Sequence, residues 1–259
     1  MTRIHSLHES AYQNPLEPVE EGRRAFTHLA MIKMDKPRQF YLKVFPDDSR
    51  GMANEIAGWL MASALGLTVP ERTCLITVPG AALNAMHGGE FPEQSVAFGS
   101  EALPGRSVKY WFRDIEAIAN TLSRWDERHK ATAFDDWTAN ADRNIGNVIR
   151  LEKNRFVLID HGDILTGQEW MADMLDPAIE IRNTLEELIW KGRPDKEDAS
   201  RIAESAKGHL AALTHSKSEL IFWWSMLLRE NELKAAQSFL ENRAMQCADR
   251  LKMRYGMIL

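Results

Sequence analysis

The chain has 259 residues, of which 44% are hydrophobic and 27% charged. This composition is ordinary for a globular protein with one large domain or two lobes, and it excludes a wholly disordered chain. The formal net charge of −5 at pH 7 argues against a polyanion-binding surface as the main activity, and so against nucleic acid as a direct partner. A local basic patch stays compatible with that net charge.

The two cysteines, Cys74 and Cys247, lie far apart and lack the paired spacing of a zinc site or a disulfide framework. Such usage is typical of a reducing compartment. The first residues lack the apolar segment of a signal peptide, and we find no apolar run of the length that spans a bilayer. The sequence therefore predicts a cytoplasmic protein without a membrane partner.

The first part of the chain is predicted to be rich in β-strands. Residues 1–24 are polar and irregular, which indicates a strand or arm that turns at Gly22. Residues 25–32 and 39–45 are β-forming runs separated by a turn that contains proline, so they predict an antiparallel pair.

Lys43 lies inside the second of these runs. Because side chains alternate along a strand, Lys43 shares a face with Tyr41 and Phe45 and points away from Leu42 and Val44. Such a lysine is commonly a solvated strand residue. The alternative is a phosphate-binding lysine that acts as a point charge beneath a nucleotide.

A helix is predicted over residues 49–71. Ser49 is a candidate N-cap, apolar residues recur at helical spacing, and Gly66 and Pro70 indicate the end. Glu55 lies near its first turns. This glutamate could pair with the strand lysine and orient it toward phosphate, or it could be a surface carboxylate that the helix dipole favours.

Two further strands are predicted at residues 74–78 and 95–98, with a glycine-rich turn at residues 85–94 between them. Residues 98–105, FGSEALPG, suit a connector between two lobes whose backbone groups face a nucleotide base. Backbone recognition leaves no side-chain signature, so this interpretation depends on order along the chain alone.

The second part of the chain has mainly helical periodicity. One helix is predicted over residues 114–134, and nearly everything after residue 165 is predicted to be helical, with tryptophans as packing residues. His129 is expected on a helix surface, because no second His or Cys lies at metal-ligand spacing.

Between these helical parts, residues 138–165 contain a polar loop followed by two short apolar runs, residues 148–149 and 156–159, which a polar turn joins. This pattern predicts a β-hairpin. The ends of the hairpin are predicted to bring three oxygen-bearing side chains together: Asp142, Asn147 and Asp160.

These three residues suit phosphoryl transfer. Mg²⁺ is held by one or two oxygen side chains plus substrate phosphates, and Asn147 and Asp160 could supply those oxygens. A catalytic-loop Asp followed by Asn five residues later is the protein-kinase spacing, and Asp142 and Asn147 have it. An Asx-rich turn that leads into a hairpin explains the same residues. The motif alone leaves both interpretations open.

The order of these features resembles the protein-kinase-like fold, and it is most similar to the HipA-like kinases. The motifs that carry the resemblance are YLKV, NEIAGWLMASALGLTVPE, ADRNIGN and FVLIDHG. They cover roughly residues 20–165. The resemblance implies an α+β fold with two lobes: a small β-rich N-lobe of residues 1–103 and a mainly α-helical C-lobe of residues 104–259.

The resemblance also implies a role for each candidate residue. Lys43 would contact the ATP phosphates with Glu55 as its ion-pair partner, and the connector around Glu101 and Leu103 would bind the nucleotide base. The roles in the polar loop and hairpin would be catalytic base for Asp142 and Mg²⁺ ligands for Asn147 and Asp160.

The chain departs from common protein kinases in two places. Asp-His-Gly stands at residues 160–162 where those kinases have Asp-Phe-Gly, and no His-Arg precedes Asp142. The phosphate-covering loop should fall between Glu20 and His28, but that segment holds only Gly22.

Together these roles imply an ATP- and Mg²⁺-dependent serine/threonine kinase that phosphorylates a protein hydroxyl, with a cognate antitoxin protein as a candidate partner. One alternative is an ATP-binding pseudokinase that acts as an interaction module in a toxin–antitoxin complex. Retention of all four residues Lys43, Asp142, Asn147 and Asp160 argues against it. A lipid or small-molecule kinase of the same superfamily would use the same four residues.

Overall fold

A computed structural model describes residues 3–19 and 24–257 of the chain. The predicted turn at Gly22, and with it the middle of the predicted phosphate-covering loop, lies outside these residues. Helix α1 (Gly51–Ala64) begins close to a division between two compact units. The first unit contains the described residues up to Met52 together with Pro70–Leu103, and the second contains Ala53–Val69 and the described residues from Pro104 onward. The proposed lobes 1–103 and 104–259 stay a prediction.

A six-stranded sheet forms most of the first unit. Its strands are β1 (His5–Leu7), β2 (Tyr12–Pro18), β3 (Phe26–Lys33), β4 (Pro37–Val44), β5 (Thr73–Pro79) and β6 (Gln94–Glu101). The strands lie in the order β1-β5-β6-β4-β3-β2, and β1 pairs with β5 in parallel. The antiparallel pair β3–β4 and the later strands β5 and β6 confirm the sequence predictions.

Alternation along β4 sorts its side chains between core and surface. Phe40, Leu42 and Val44 are buried, whereas Tyr41 is exposed and Lys43 is half-buried on the same face. This confirms the predicted orientation of the lysine. The buried side chains pack with residues of β3, β5 and β6 in one hydrophobic core.

Helix α2 (Gly80–His87) connects β5 to β6, so the prediction of a turn from residue 85 onward was wrong for residues 85–87. The segment GAALNAMH is rich in alanine and leucine, which favour helix. The helix ends at Gly88, whose φ of 70° is a conformation that glycine adopts without steric strain.

The second unit is mainly helical, and it carries a small sheet beside the helices. After α1, its helices are α3 (Val108–Trp111), α4 (Ile115–Leu122), α5 (Arg128–Thr138), α6 (Thr184–Trp190), α7 (Lys196–Ala206), α8 (His209–Leu227) and α9 (Glu230–Arg254). The sheet contains β7 (Arg106–Ser107), β8 (Val148–Arg150) and β9 (Phe156–Leu158), in that spatial order. The β8–β9 hairpin is antiparallel, as predicted. Together the two units confirm the α+β class.

The single helix predicted over residues 114–134 was wrong, because α4 and α5 are separate helices. Asp114 caps α4 by accepting a hydrogen bond from the Ala117 N–H at 3.0 Å. The chain then turns after Leu122, and Trp125 in that turn is only 1% exposed. Helical spacing of apolar residues also arises when a turn buries a large side chain at a matching position.

The expectation of a surface position for His129 was wrong as well. The residue is buried, and its Nε2 atom lies 2.5 Å from Oδ1 of Asp198 on α7. Burial lowers the pKa of His129, and the Asp198 carboxylate opposes that shift. The contact therefore joins α5 to α7.

Within residues 3–19 and 24–257, none of the helices combines the length and the apolar character that crossing a membrane requires.

His209 is a buried titratable group in the helical unit. It is fully buried at the start of α8, and its ring stacks on Trp137 with centroids 4.6 Å apart and planes at 14°. Burial lowers its pKa to about 3, while the nearby charge of Asp136 acts in the opposite direction. The folded protein therefore holds this imidazole in its neutral form at neutral pH.

We predict that His209 makes the fold acid-sensitive. The unfolded chain binds a proton at this residue near pH 6.5 and the folded chain only near pH 3, so the free energy of unfolding should fall as pH drops below 6.5. The contribution approaches ~1.4 kcal/mol per pH unit. Urea unfolding of His209→Phe, on both sides of pH 6.5, should show a weaker pH dependence than the wild type.

The control is His215→Phe on the same helix, where the side chain is exposed. It should retain the pH dependence of the wild type. An unchanged pH dependence in His209→Phe would contradict the prediction.

Candidate active site

Helix α1 carries two polar side chains, Asn54 and Glu55, in an almost wholly buried stretch. Buried polar groups are tolerated in a protein interior where they have hydrogen-bond partners. Both residues find them in the segment that begins directly after Asp160. The surface position considered for Glu55 was wrong, since its exposure is only 2%.

Asn54 is fully buried and connects to this segment at four points. Its Nδ2 atom donates to the carbonyl oxygens of Gly162, Ile164 and Gly167 at 2.7, 2.9 and 2.7 Å. Its Oδ1 atom accepts the indole N–H of Trp170 at 3.1 Å. One amide side chain therefore fixes the path of about nine residues.

Glu55 and Gly58 bring α1 against His161. An oxygen of the Glu55 carboxylate accepts the His161 backbone N–H at 2.8 Å. A Cβ atom on Gly58 would lie 2.2 Å from the Cβ of His161, closer than two non-bonded carbon atoms can approach. Position 58 therefore requires glycine, because α1 packs directly against the His161 side chain.

The polar loop that precedes the hairpin is built from side-chain-to-backbone hydrogen bonds. Helix α5 ends at Thr138, and its C-cap residue Ala139 has a left-handed φ of 54°. The Asp142 N–H then donates to the side-chain oxygen of Asn140 at 3.1 Å, and the Gly146 N–H donates to that of Asn144 at 2.8 Å. These are Asx turns, as one of the two interpretations of the sequence expected.

Arg143 connects this loop to the end of β9. It is fully buried and pairs with the fully buried carboxylate of Asp135, with its Nη2 atom 3.1 Å from Oδ1. Its Nη1 atom donates to the backbone carbonyls of Ile159 and Asp160 at 2.5 and 2.9 Å. Burial raises the pKa of Asp135, and the Arg143 charge opposes that rise.

Hydrogen bonds from and to Asn147 bring Asp142, Asn147 and Asp160 close together. The Asn147 side-chain nitrogen donates to the Asp142 carbonyl at 3.2 Å, and the Asn147 carbonyl accepts the N–H of Ile159 at 3.1 Å. Asp160 follows with a left-handed φ of 60°, a conformation that Asp adopts more readily than most residues. The Asp142 side chain is exposed.

The donor set fits a magnesium ion that phosphates also bind. The Nδ2 atom of Asn147 donates to the Asp142 carbonyl, so the Oδ1 atom is the one that could bind a cation, and Asp160 could add a carboxylate. The described residues hold no group of three or more His, Cys, Asp or Glu side chains arranged around a cation position. A site of one amide and one carboxylate depends on substrate phosphates, as Mg²⁺ sites commonly do.

Asp136, which follows Asp135 near the end of α5, forms ion pairs with arginines of the C-terminal helix α9. Burial acts to raise the pKa of Asp136, but the arginines Arg254, Arg250 and Arg243 of α9 lower it below its usual range. Arg243 also donates to the backbone carbonyls of Asp136 and Trp137 at 2.5 and 2.9 Å. Cations at the C-terminal end of a helix are favourable to its dipole.

The remaining candidate residues belong to the first unit. Lys43 lies on β4 opposite Phe98 of β6. The carboxylate of Glu101 accepts from Arg38 at 2.8 Å and from Arg72 at 3.0 Å, so this side chain serves the unit's own stability. The Glu101 N–H donates to the Arg72 carbonyl, and Leu103 follows half-buried. The predicted nucleotide role of Glu101 and Leu103 concerns their backbone.

Sequence reasoning missed the residues that hold the loop in place, namely Asn54, Asp135, Asp136, Arg143 and the α9 arginines. The sequence does mark Asn54 and Arg143: Asn54 is a polar residue in a mostly apolar helix, and Arg143 lies inside the ADRNIGN motif. The α9 arginines, at positions 243, 250 and 254, recur at helical spacing on one face.

Comparison with known proteins gives the family and the fold. A family model described as HipA-like kinase matches residues 20–179. A comparison with curated proteins found no match. Among solved structures, the chain is similar to the proinflammatory kinase CtkA of Helicobacter pylori, with a TM-score of 0.54 and 13% identity over 94% of this chain and 97% of that one.

A second solved structure, a Stt7 homolog from Micromonas algae soaked with ATP, gives a TM-score of 0.47 and 13% identity over 94% of this chain and 91% of that one. At this identity the likeness to CtkA concerns the fold alone. It confirms the predicted protein-kinase-like fold.

We predict that Asn54→Ala loosens the segment after Asp160. The change leaves three buried carbonyls and the Trp170 indole without their partner, at about 1–3 kcal/mol for each buried group that stays unpaired. Amide hydrogen exchange of residues 162–170 should accelerate on the order of tenfold or more.

The matched control is Asn242→Ala, which removes a half-buried asparagine on α9 whose side-chain amide donates to Ser238 one turn earlier in the same helix. Its exchange in residues 162–170 should equal that of the wild type. Equal exchange in Asn54→Ala would show that other contacts determine the path of this segment.

Proposed function

This chain belongs to the HipA-like kinase family, and on that premise we propose that it transfers the γ-phosphoryl group of ATP to a Ser or Thr hydroxyl of another protein. Family membership itself supports a kinase-like phosphotransferase. The observation that carries the proposed transfer mechanism is the hydrogen-bonded connection of Asp142, Asn147 and Asp160, which Arg143 holds against a buried carboxylate. The choice of a protein Ser or Thr as acceptor rests on the family resemblance.

Asp142 is the proposed catalytic base. The acceptor oxygen forms a bond to the γ-phosphorus while the bond from that phosphorus to the bridging oxygen breaks, and ADP leaves. The hydroxyl proton passes to the Asp142 carboxylate. The exposure of this carboxylate supports the role, because an acceptor can reach it, and its backbone is fixed at both ends by the turn.

Asn147 and Asp160 are the proposed ligands of Mg²⁺. When bound, the ion would neutralise charge on the phosphates. The hydrogen bonds from Asn147 to Asp142 and from Arg143 to Asp160 orient the two ligand residues before substrate arrives. Such orientation in advance is the main source of catalysis in phosphoryl transfer.

The proposed roles in the first unit follow from the family resemblance. Lys43 would add a positive charge at the ATP phosphates, with Glu55 as its partner, and the backbone near Glu101 and Leu103 would bind the base. The buried carboxylate of Glu55 also accepts the His161 N–H, which connects this residue to the Asp-His-Gly motif.

The biological setting is proposed on the same resemblance. It comprises a cytoplasmic location, a cognate antitoxin protein as partner and a protein as phosphate acceptor.

We predict that Asp142→Ala and Asp160→Ala each reduce phosphate transfer by on the order of a hundredfold or more, because each removes a group that acts in the transition state. Transfer from radiolabelled ATP in the presence of Mg²⁺, to the chain itself and to a proteome extract, measures this. Thermal unfolding of Asp142→Ala should change little, since that carboxylate is exposed. At position 160, where the left-handed φ of 60° disfavours alanine, Asp160→Asn repeats the test with a residue that tolerates this conformation.

The matched control is Asp173→Ala, an exposed aspartate of the same unit. It should retain wild-type transfer. Full activity in Asp142→Ala or Asp160→Ala would contradict the proposed roles. Binding of Mg·ATP without transfer by the wild type would favour the pseudokinase, and transfer to lipid or small-molecule hydroxyls alone would favour the other kinase class.

A further inference from the structure

Strand β7 and helix α3 form a short segment beside the catalytic loop. β7 pairs with β8, the strand that begins directly after Asn147. A Cβ atom on Gly146 would lie 4.0 Å from Cδ of Lys109, so the stem of this α3 lysine covers the turn that contains Asn147. A ligand on this segment would therefore lie next to the proposed phosphoryl-transfer site of the same unit.

Two arginines face each other across this small sheet. Arg106 of β7 is the direct cross-strand partner of Arg150 of β8. Like charges directly opposite each other on a sheet are unfavourable. Among the described residues, no carboxylate forms an ion pair with Arg106 or Arg150, whose Nε atom donates to the backbone carbonyl of Glu152. An anion bound between them would relieve the repulsion.

Exposed aromatic side chains lie next to these arginines. Tyr110 and Trp111 are 61% and 54% exposed, and their rings meet edge to face with centroids 5.3 Å apart. The guanidinium carbon of Arg106 lies 4.4 Å above the Tyr110 ring, which holds the arginine in place. Exposed Trp, Tyr and Arg together are typical of binding surfaces rather than of ordinary solvated ones.

The charges around this surface are mainly positive. Arg113 and Lys109 are exposed on the same segment. Three nearby carboxylates are engaged elsewhere: Asp114 caps α4, Glu116 pairs with Lys191 at 2.6 Å, and Glu152 pairs with Arg155 at 3.5 Å. The exposed carboxylate of Asp142 belongs to the proposed phosphoryl-transfer site. In a chain of net charge −5, this is a local basic surface, which favours an acidic ligand.

We propose that this basic–aromatic surface, formed by Arg106, Lys109, Tyr110, Trp111, Arg113 and Arg150, docks an acidic segment of the phosphate-accepting protein. This inference rests on the proposed kinase function. Asp or Glu residues near the acceptor hydroxyl would bind the arginines, and an apolar residue of the segment would cover the exposed aromatic rings. The position beside the Asn147 turn explains how docking would bring a hydroxyl to Asp142.

A charge-reversal experiment tests the proposal. Two synthetic peptides share the same Ser and the same apolar residue, and differ in flanking residues that are Glu in one and Lys in the other. With the full chain, Mg²⁺ and ATP, we expect the wild type to favour the acidic peptide on the order of tenfold in kcat/KM. Arg106→Glu/Arg150→Glu should favour the basic peptide, a gain that a damaged protein could not produce.

The matched control is Lys153→Glu, an exposed lysine at the tip of the same hairpin. It should retain the preference of the wild type. Thermal unfolding checks each variant, and the single variant Arg106→Glu replaces the double one if the latter is unfolded. A variant that still prefers the acidic peptide as strongly as the wild type overturns the proposal.

A binding measurement separates this inference from the proposed function. Fluorescence anisotropy of the labelled acidic peptide, with the wild type and with Asp142→Ala, reports docking without transfer. Binding that the charge reversal abolishes, with no transfer to any peptide, supports the docking surface while the kinase proposal fails. Absence of both binding and transfer preference overturns the docking surface. Displacement of the peptide by a short single-stranded RNA at lower concentration would overturn the choice of a protein as the ligand.

Discussion

The buried ion pair between Asp135 and Arg143 is the interaction on which the arrangement of the candidate site depends. Both side chains are fully buried, so the desolvation of two charges opposes their attraction, and the pair adds little to net stability. Removal of one partner would destabilise the folded protein by about 3–5 kcal/mol, because it leaves an unpaired buried charge. The pair fixes the position of the Arg143 guanidinium, whose Nη1 atom donates to the carbonyls of Ile159 and Asp160. Two segments distant in sequence thereby share one rigid anchor.

The neighbouring Asp136 connects the same helix end to the C-terminal helix. Adjacent residues at the end of a helix point in different directions, so Asp135 is directed to Arg143 of the polar loop and Asp136 to the arginines of α9. Arg243 adds hydrogen bonds to the Asp136 and Trp137 carbonyls at this helix end, and the Asp136 carbonyl also accepts the Ala139 N–H. The long helical tail, which lies beyond the motifs that carry the sequence resemblance, therefore supports the candidate site physically through the end of α5. Changes in α9 should act on the loop without touching a substrate.

Much of the local structure could be predicted from the sequence, because it follows from short-range patterns. The strand pair that contains Lys43, the orientation of that lysine and the β8–β9 hairpin all follow from alternation and turn residues. What failed depends on distant parts of the chain. Periodicity extended one helix through the buried Trp125, and nothing local indicated that His129 would meet Asp198 or that Glu55 would be buried against residue 161. Polar residues in apolar helices have buried partners that a sequence alone does not identify.

The two interpretations of the polar loop, an Asx-rich turn and a catalytic loop, describe the same hydrogen bonds. The turn uses the Asn144 oxygen and the Asn147 nitrogen to fix the backbone around Asp142. An asparagine amide carries a donor and an acceptor at opposite positions, so the turn that engages the nitrogen of Asn147 also directs its oxygen. An aspartate at position 147 would have no N–H for this contact, which gives a physical reason for Asn at this position. The turn therefore requires an amide whose oxygen could also bind a cation, and a preference for turns is no argument against a metal ligand here.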